Sequence, residues 1–162
     1  MTAIVSDTSP INYLVLIGQI ELLPQLFEEV LIPPAVWREL QHPKTPKSVY
    51  DWAANLPAWA SVATPSRLDN SLLLDPGETE AISLAVELNI QSMLVDDRQA
   101  WLAAKDRAIV PIGTVTVLEL ADIEGLVDFE QAMKKLRTTN FHIEQRLFDE
   151  AIERHKARQS QS

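Results

Sequence analysis

Apolar residues along this chain fall into runs of two kinds. Short runs with little polar interruption occur at 2–6, 30–32, 60–63, 92–95 and 108–110. Such runs, rich in Ile, Val and Leu and closed by Asp, Pro or Gly, predict buried strands. Between them lie stretches of helical spacing. Ile11, Leu14, Val15 and Ile17 repeat at that spacing after Asp7-Thr8-Ser9-Pro10, where Thr8 or Ser9 suits a cap and Pro10 a first turn. Gly18 ends this helix, and a second short piece covers 20–27. Further helices are predicted over 34–40 and 49–55. Asp75-Pro76-Gly77-Glu78 starts another, whose face is Ala81, Ile82, Leu84, Ala85 and Leu88. The pattern continues with helices at 99–107 and from Gly113-Thr114 to Asp122. Two amphipathic helices across 127–156 divide near 138–140. The segment 42–65 holds Pro43, Pro46, Pro57 and Pro65 and reads as irregular around its short helix and strand.

Short strands without polar alternation, interleaved with helices, predict an α/β protein whose mainly parallel sheet is covered on both faces. No repeat, low-complexity tract or linker divides the chain, so one unit is expected over 1–156, followed by a polar tail at 157–162. Sheets of this class hold their functional groups in the crevice beyond the strand C-termini. Those positions decide which residues matter.

Composition narrows the chemistry. The 162 residues are 46% hydrophobic and 23% charged, as for an ordinary globular protein. The absence of cysteine excludes disulfides, thiolate metal sites and a cysteine nucleophile. No apolar run reaches the roughly 18 residues of a membrane span, and the N-terminus lacks a basic leader. A cytoplasmic setting is therefore expected. A net charge of −9 disfavours a protein that coats nucleic acid by counterion release. Contact with RNA would need local basic residues or bridging cations, and Arg98, Lys105 and Arg107, after a strongly apolar strand, are the local candidates.

Carboxylates recur at the predicted strand ends. Asp7 follows the first strand, and Asp96 and Asp97 follow the strand at 92–95. Glu39 sits on the helix after the second strand. Glu78 lies in a first helical turn, where the helix dipole favours an acid. Taken singly, each has an ordinary role: Asp7 and Asp96 as caps or turn residues, Glu39 as a solvated charge, Glu78 as a dipole partner. Together the predicted topology brings them to one edge. Crowded carboxylates repel one another, a divalent cation removes that penalty, and oxygen ligands suit Mg²⁺ or Mn²⁺. Such sites serve phosphoryl transfer. Four glycines provide no Walker loop or dinucleotide fingerprint. His42, His142 and His155 stand apart from the strand ends and read as exposed surface residues.

The order and wording of these segments resemble the PIN-domain superfamily, with closest similarity to prokaryotic relatives of VapC toxins. The pieces that carry the resemblance are Val5-Ser6-Asp7-Thr8-Ser9-Pro10-Ile11, Leu31-Ile32-Pro33-Pro34-Ala35-Val36-Trp37-Arg38-Glu39-Leu40, Leu74-Asp75-Pro76-Gly77-Glu78-Thr79-Glu80-Ala81-Ile82, Leu94-Val95-Asp96-Asp97-Arg98 and Ile112-Gly113-Thr114. The resemblance implies a three-layer α/β/α sandwich and a metal-dependent endoribonuclease using Mg²⁺ or Mn²⁺. It assigns Asp7, Glu39, Glu78 and Asp96 as the acid quartet, with Asp97 the alternative to Asp96 by a one-residue shift. Ser9 and Thr114 become accessory polar groups. It further implies a homodimer, a small antitoxin partner and an RNA substrate, with the 50–59 stretch and the C-terminal helices as candidate surfaces. A catalytically silent PIN-fold binding module is the alternative. A response-regulator receiver fits less well, because the first strand ends in the single Asp7 and the expected lysine is missing near Pro111. A dehalogenase-like phosphatase would need Asp-x-Asp where the chain has Asp7-Thr8-Ser9.

Overall fold

The computed structural model describes residues 2–161. Met1, which heads the expected 1–156 unit, and Ser162, which ends the expected tail, lie outside the described residues. Five strands form one parallel sheet: β1 (Ala3–Ser6), β2 (Glu29–Ile32), β3 (Ala60–Val62), β4 (Ser92–Leu94) and β5 (Val110–Ile112), in the order β3-β2-β1-β4-β5. Val5 of the central strand pairs with Leu31 on one side and Met93 on the other. Successive side chains of a strand point to opposite faces, and this sorts the core into two clusters. Ile4, Val30, Ile32 and Leu94 belong to one cluster, Val5, Met93 and Val95 to the other.

The first cluster is covered by α1 (Thr8–Leu16), α2 (Leu22–Leu26), α3 (Pro34–Glu39), α4 (Lys47–Ala54), α7 (Thr114–Ile123), α8 (Phe129–Thr138) and α9 (Gln145–Ser160). The second is covered by α5 (Pro76–Glu87) and α6 (Arg98–Asp106), whose Ala81, Ala85, Ala100 and Ala104 allow close approach to the sheet. The result is a three-layer α/β/α sandwich with a wholly parallel sheet. Because β1 is flanked by β2 and β4, the chain leaves it toward one side first and returns later on the other. The crevice at such a reversal, beyond the strand C-termini, is where open α/β sheets hold their sites. No helix among the described residues is long and apolar enough to cross a membrane.

Three features depart from the sequence pattern. β5 starts at Val110, two residues later than expected, because Ala108 adopts a left-handed conformation (φ 60°) in the turn that closes α6. In that turn the Ile109 amide donates to the Ala104 carbonyl. Second, α9 continues through Ser160 instead of giving way to a tail after 156. Its last turns are docked: Arg158 donates through Nη2 to Asp122 Oδ2 at 2.7 Å, and His155 Nδ1 lies 2.8 Å from the same oxygen. His155 also stacks on Phe129, so it is a packed residue and not an exposed one. Third, the 50–59 stretch, a candidate surface by resemblance, is only partly one: Tyr50 is 43% exposed, whereas Trp52 meets Trp59 at 5.8 Å and both pack against the core.

Candidate active site

The strand ends open into a cleft of about 860 Å³, lined among others by Asp7, Glu39, Asp75, Glu78, Asp96 and Asp97. Each acid arrives by a different local device. Asp7 occupies the cap position of α1, yet its side chain makes no capping hydrogen bond. Its backbone amide is fixed by the Leu94 carbonyl of β4 (2.9 Å), which ties the end of β1 to its neighbour. The carboxylate is thereby left to the cleft, although only 6% of the residue is exposed. A simple capping role for Asp7 is excluded.

Asp75 and Asp97 do cap. Asp75 Oδ1 accepts from the Glu78 amide (2.8 Å), and Asp97 Oδ2 accepts from the Ala100 amide (3.0 Å). Each keeps its second oxygen, and both residues line the cleft. Glu78, buried in the first turn of α5, comes within hydrogen-bonding reach of the Asp97 side chain. Gly77 beside it leaves room for this approach: a Cβ there would lie 3.2 Å from Val36 and 3.6 Å from both Asp7 and Asp75.

Asp96 is held from both sides. Oδ1 accepts from the Thr114 amide (2.8 Å) at the start of α7, while Oδ2 accepts from the hydroxyls of Thr114 (2.7 Å) and Ser9 (3.0 Å). A side chain at Gly113 would place its Cβ 3.0 Å from Asp96 Oδ1, too close without movement. Glu39, more exposed at the end of α3, accepts from Thr8 at 2.8 Å. Glu80, in the same sequence motif as Glu78, accepts from the Ala35 amide and so fixes the start of α3.

The electrostatics set these acids apart. Burial, reinforced by the charges of Glu78, Asp75 and Glu39 and opposed by a hydrogen bond from the Thr8 backbone, pushes the Asp7 pKa up to about 8. Burial, then Asp75 and Asp97, raises Glu78 to about 7. Burial raises Asp96 too, opposed by its bonds from Thr114 and Ser9. Among the described residues no lysine, arginine or histidine forms an ion pair with any of the six acids. The set is an all-oxygen, negatively charged donor group, which is the chemistry hard divalent cations take. It is an open arrangement: among the described residues no three acid or histidine side chains are already gathered into a cage.

All four acids of the predicted quartet line one cleft, with Asp97 and Ser9 beside them and Thr114 behind Asp96. The basic candidates divide. Arg98 lines the cleft, but Lys105 sits near the far end of α6 with its ammonium 4.6 Å from the Trp101 ring centre. Arg107 is spent on Asp69 (3.0 Å) and on the Ala103 carbonyl. Lys105 and Arg107 are therefore not cleft residues. Sequence reasoning also missed Asp75; His42 and His142 are exposed, as expected, but they line the cleft from the connections after α3 and α8 together with Lys44. Only Asp75 carried a signal, as the acid that opens a helix within a matched motif.

Acids converging past the central strands of a parallel α/β/α sheet define a strand-end carboxylate protein. Within that class the assignment is direct: a family model described as a PIN domain matches residues 3–157, and the chain belongs to that family. No curated protein and no solved structure matches the chain. PIN domains are in general nucleases that bind nucleic acid and typically use divalent metals.

Proposed function

We propose that the chain is a metal-dependent endoribonuclease that hydrolyses RNA phosphodiester bonds, acting as a VapC-like toxin in the cytoplasm. The observation that carries this reading is the uncompensated charge of the cleft. Asp7 and Glu78 are buried among further acids, are raised to about 8 and 7, and form no ion pair with a protein cation among the described residues. A fold that keeps such a group holds a destabilising arrangement unless an external cation completes it. Asp7, Glu78, Asp96 and Asp97 would hold Mg²⁺ or Mn²⁺, and Glu39 would complete the shell or orient water. When bound, the metal supplies neutralising charge and activation of water for in-line attack at phosphorus.

The chain's own residues do the rest. Ser9 and Thr114 fix the orientation of Asp96, and Thr8 fixes that of Glu39. Arg98, at the rim, draws the phosphate backbone toward an otherwise negative surface. The attacking water forms a new P–O bond as the bond from phosphorus to the 3′-oxygen breaks. The fragments carry a 5′-phosphate and a 3′-hydroxyl. A homodimer and a small antitoxin that covers the cleft complete the proposal, and residues 1–156 act as one PIN-like unit.

The test is cleavage of a panel of RNAs with Mg²⁺, Mn²⁺ or EDTA. Cleavage should need metal, and Asp7→Asn should lower it by at least about a hundredfold, since even outer-shell partners of a metal are worth 10–100-fold. Full activity of Asp7→Asn would remove Asp7 from the site. The lack of a preformed three-residue cage favours one alternative, a catalytically silent PIN-fold binding module. Binding of Mn²⁺ without cleavage of any RNA would select it.

A further inference from the structure

Acids fill the cleft, yet the connection from α3 to α4, which forms part of its rim, carries the opposite charge. Between Leu40 and Lys47 it has no acid, and its His42 and Lys44 line the cleft. The connection is a built turn. The His42 amide (3.1 Å) and the Thr45 hydroxyl (3.1 Å) both donate to the Glu39 carbonyl. The Thr45 amide donates in turn to the His42 carbonyl (2.9 Å). Pro43 and Pro46 fix two further backbone angles. The turn is thereby tied to Glu39, itself one of the acids.

At its centre the Lys44 amide donates to His42 Nδ1 (3.1 Å). An imidazole that accepts at Nδ1 carries its proton on Nε2. His42 is therefore held with a donor at Nε2, and that donor has no hydrogen-bond partner among the described residues. Lys44 is exposed and forms no ion pair among the described residues, although acids line the same cleft. Lys47, three residues on, is by contrast paired with Asp51 at 2.6 Å. A fixed neutral donor and a free ammonium, two residues apart, match two demands of a phosphodiester chain. One gives a directed hydrogen bond to a non-bridging oxygen, the other a point charge for a phosphate. A donor set in place beforehand needs no reorganisation when charge shifts on the phosphate oxygens. The carboxylates repel those oxygens, so groups on the rim must receive them.

We infer that the turn after α3 is the phosphate grip of the cleft: His42 donates through Nε2 to a non-bridging oxygen of the phosphodiester to be cut, and Lys44 pairs with a neighbouring phosphate. His42 takes the inner position because its amide is bonded to Glu39, whereas Lys44 stands further along the turn. The inference rests on the nuclease reading and deepens it by naming the groups that hold the substrate's phosphates.

The experiment measures KM and kcat of the full chain with Mn²⁺ on an RNA that it cuts, over a series of salt concentrations, with Mn²⁺ affinity determined for each variant by calorimetry. His42→Asn keeps an acceptor for the Lys44 amide, since an Asn side chain closes the same turn, but places nothing at the Nε2 position. It should lower kcat about tenfold, the worth of a hydrogen bond to a charged group, with Mn²⁺ affinity unchanged. Lys44→Gln should raise KM several-fold with kcat little changed. It should also flatten the slope of log KM against log salt by about 0.7–0.9, the share of one phosphate contact, and Lys44→Arg should keep the slope. If His42→Asn cuts like wild type, the imidazole only shapes the turn. If His42→Asn binds Mn²⁺ more weakly, the imidazole only supports Glu39. An unchanged slope in Lys44→Gln makes the lysine a solvated charge. Each of these results overturns the inference and leaves the nuclease reading standing. A wild type that binds Mn²⁺ and cuts no RNA overturns both.

Discussion

Two buried aspartates in this fold, almost equally hidden, are treated in opposite ways. Asp122 on α7 is 7% exposed and is met by Arg158 and by His155, both from α9. Asp7 is 6% exposed, and apart from a bond from the Thr8 backbone its charged neighbours among the described residues are acids. Both carboxylates lose hydration, which costs several kcal/mol when nothing replaces it. At Asp122 the chain replaces it internally, and the reward is a docked C-terminal helix. At Asp7 it does not, and the cleft keeps a charge deficit that an ion from solution can fill. A buried acid with a protein partner holds structure, and one among other acids marks a site.

The contrast predicts that similar substitutions change stability in opposite directions. Asp7 has its folded pKa raised from 3.8 to about 8, and Glu78 from 4.5 to about 7. Without metal, both groups favour folding fully below pH 4, where they are protonated in either state. That contribution is lost as pH rises through 7 and 8, where the native carboxylates must ionise. Thermal melts in EDTA should therefore show stability falling between about pH 4 and 8. Asp7→Asn should abolish much of that decline, a gain on the order of a few kcal/mol at pH 8. Addition of Mg²⁺ should stabilise wild type there and leave Asp7→Asn nearly unmoved. A flat pH profile in EDTA would erase the difference between the two aspartates.

Asp122→Asn should do the reverse and leave Arg158 and His155 without their anion. Loss of a buried partner costs roughly 3–5 kcal/mol, and partial exposure of Arg158 and His155 reduces this to about 2 kcal/mol, measurable by urea unfolding. Metal affinity should stay as in wild type. The smallest effect falls on Asp96, which lies between the two cases because hydroxyls hold it in place of cations. Thr114→Val removes one of its three bonds and keeps the backbone donor. A loss of about 1 kcal/mol in stability and about tenfold in metal affinity is expected, the latter read by titration.

The same contrast explains what could be read from the chain. Asp7, Glu39, Glu78 and Asp96 were legible because each stands a fixed, short distance after an apolar strand or at a helix start, and the parallel topology brings those ends together. Sequence could not show which acids are left without a cation. Arg107 looked available until its pairing with Asp69, 38 residues away, took it from the cleft. Arg158 likewise reaches back 36 residues to Asp122, and this bond keeps α9 helical where its polar composition suggested a tail. The side of the cleft formed by Tyr13 and Asn140 was hidden for a related reason. Tyr13 and Asn140 are 127 residues apart, and neither lies at a strand end. Local spacing reported the acids; long-range pairing decided their surroundings.

The central claim, that the cleft is a carboxylate set completed by a divalent cation, is met most directly by calorimetric titration of Mn²⁺ at pH 6, 7 and 8 in buffers of different ionisation enthalpy. Binding should release protons near pH 7, tighten by up to about tenfold per pH unit for each proton displaced, and weaken at least about tenfold in Asp7→Asn but not in Asp122→Asn. Mn²⁺ that fails to bind wild type at pH 8, or binds Asp7→Asn equally well, would contradict it.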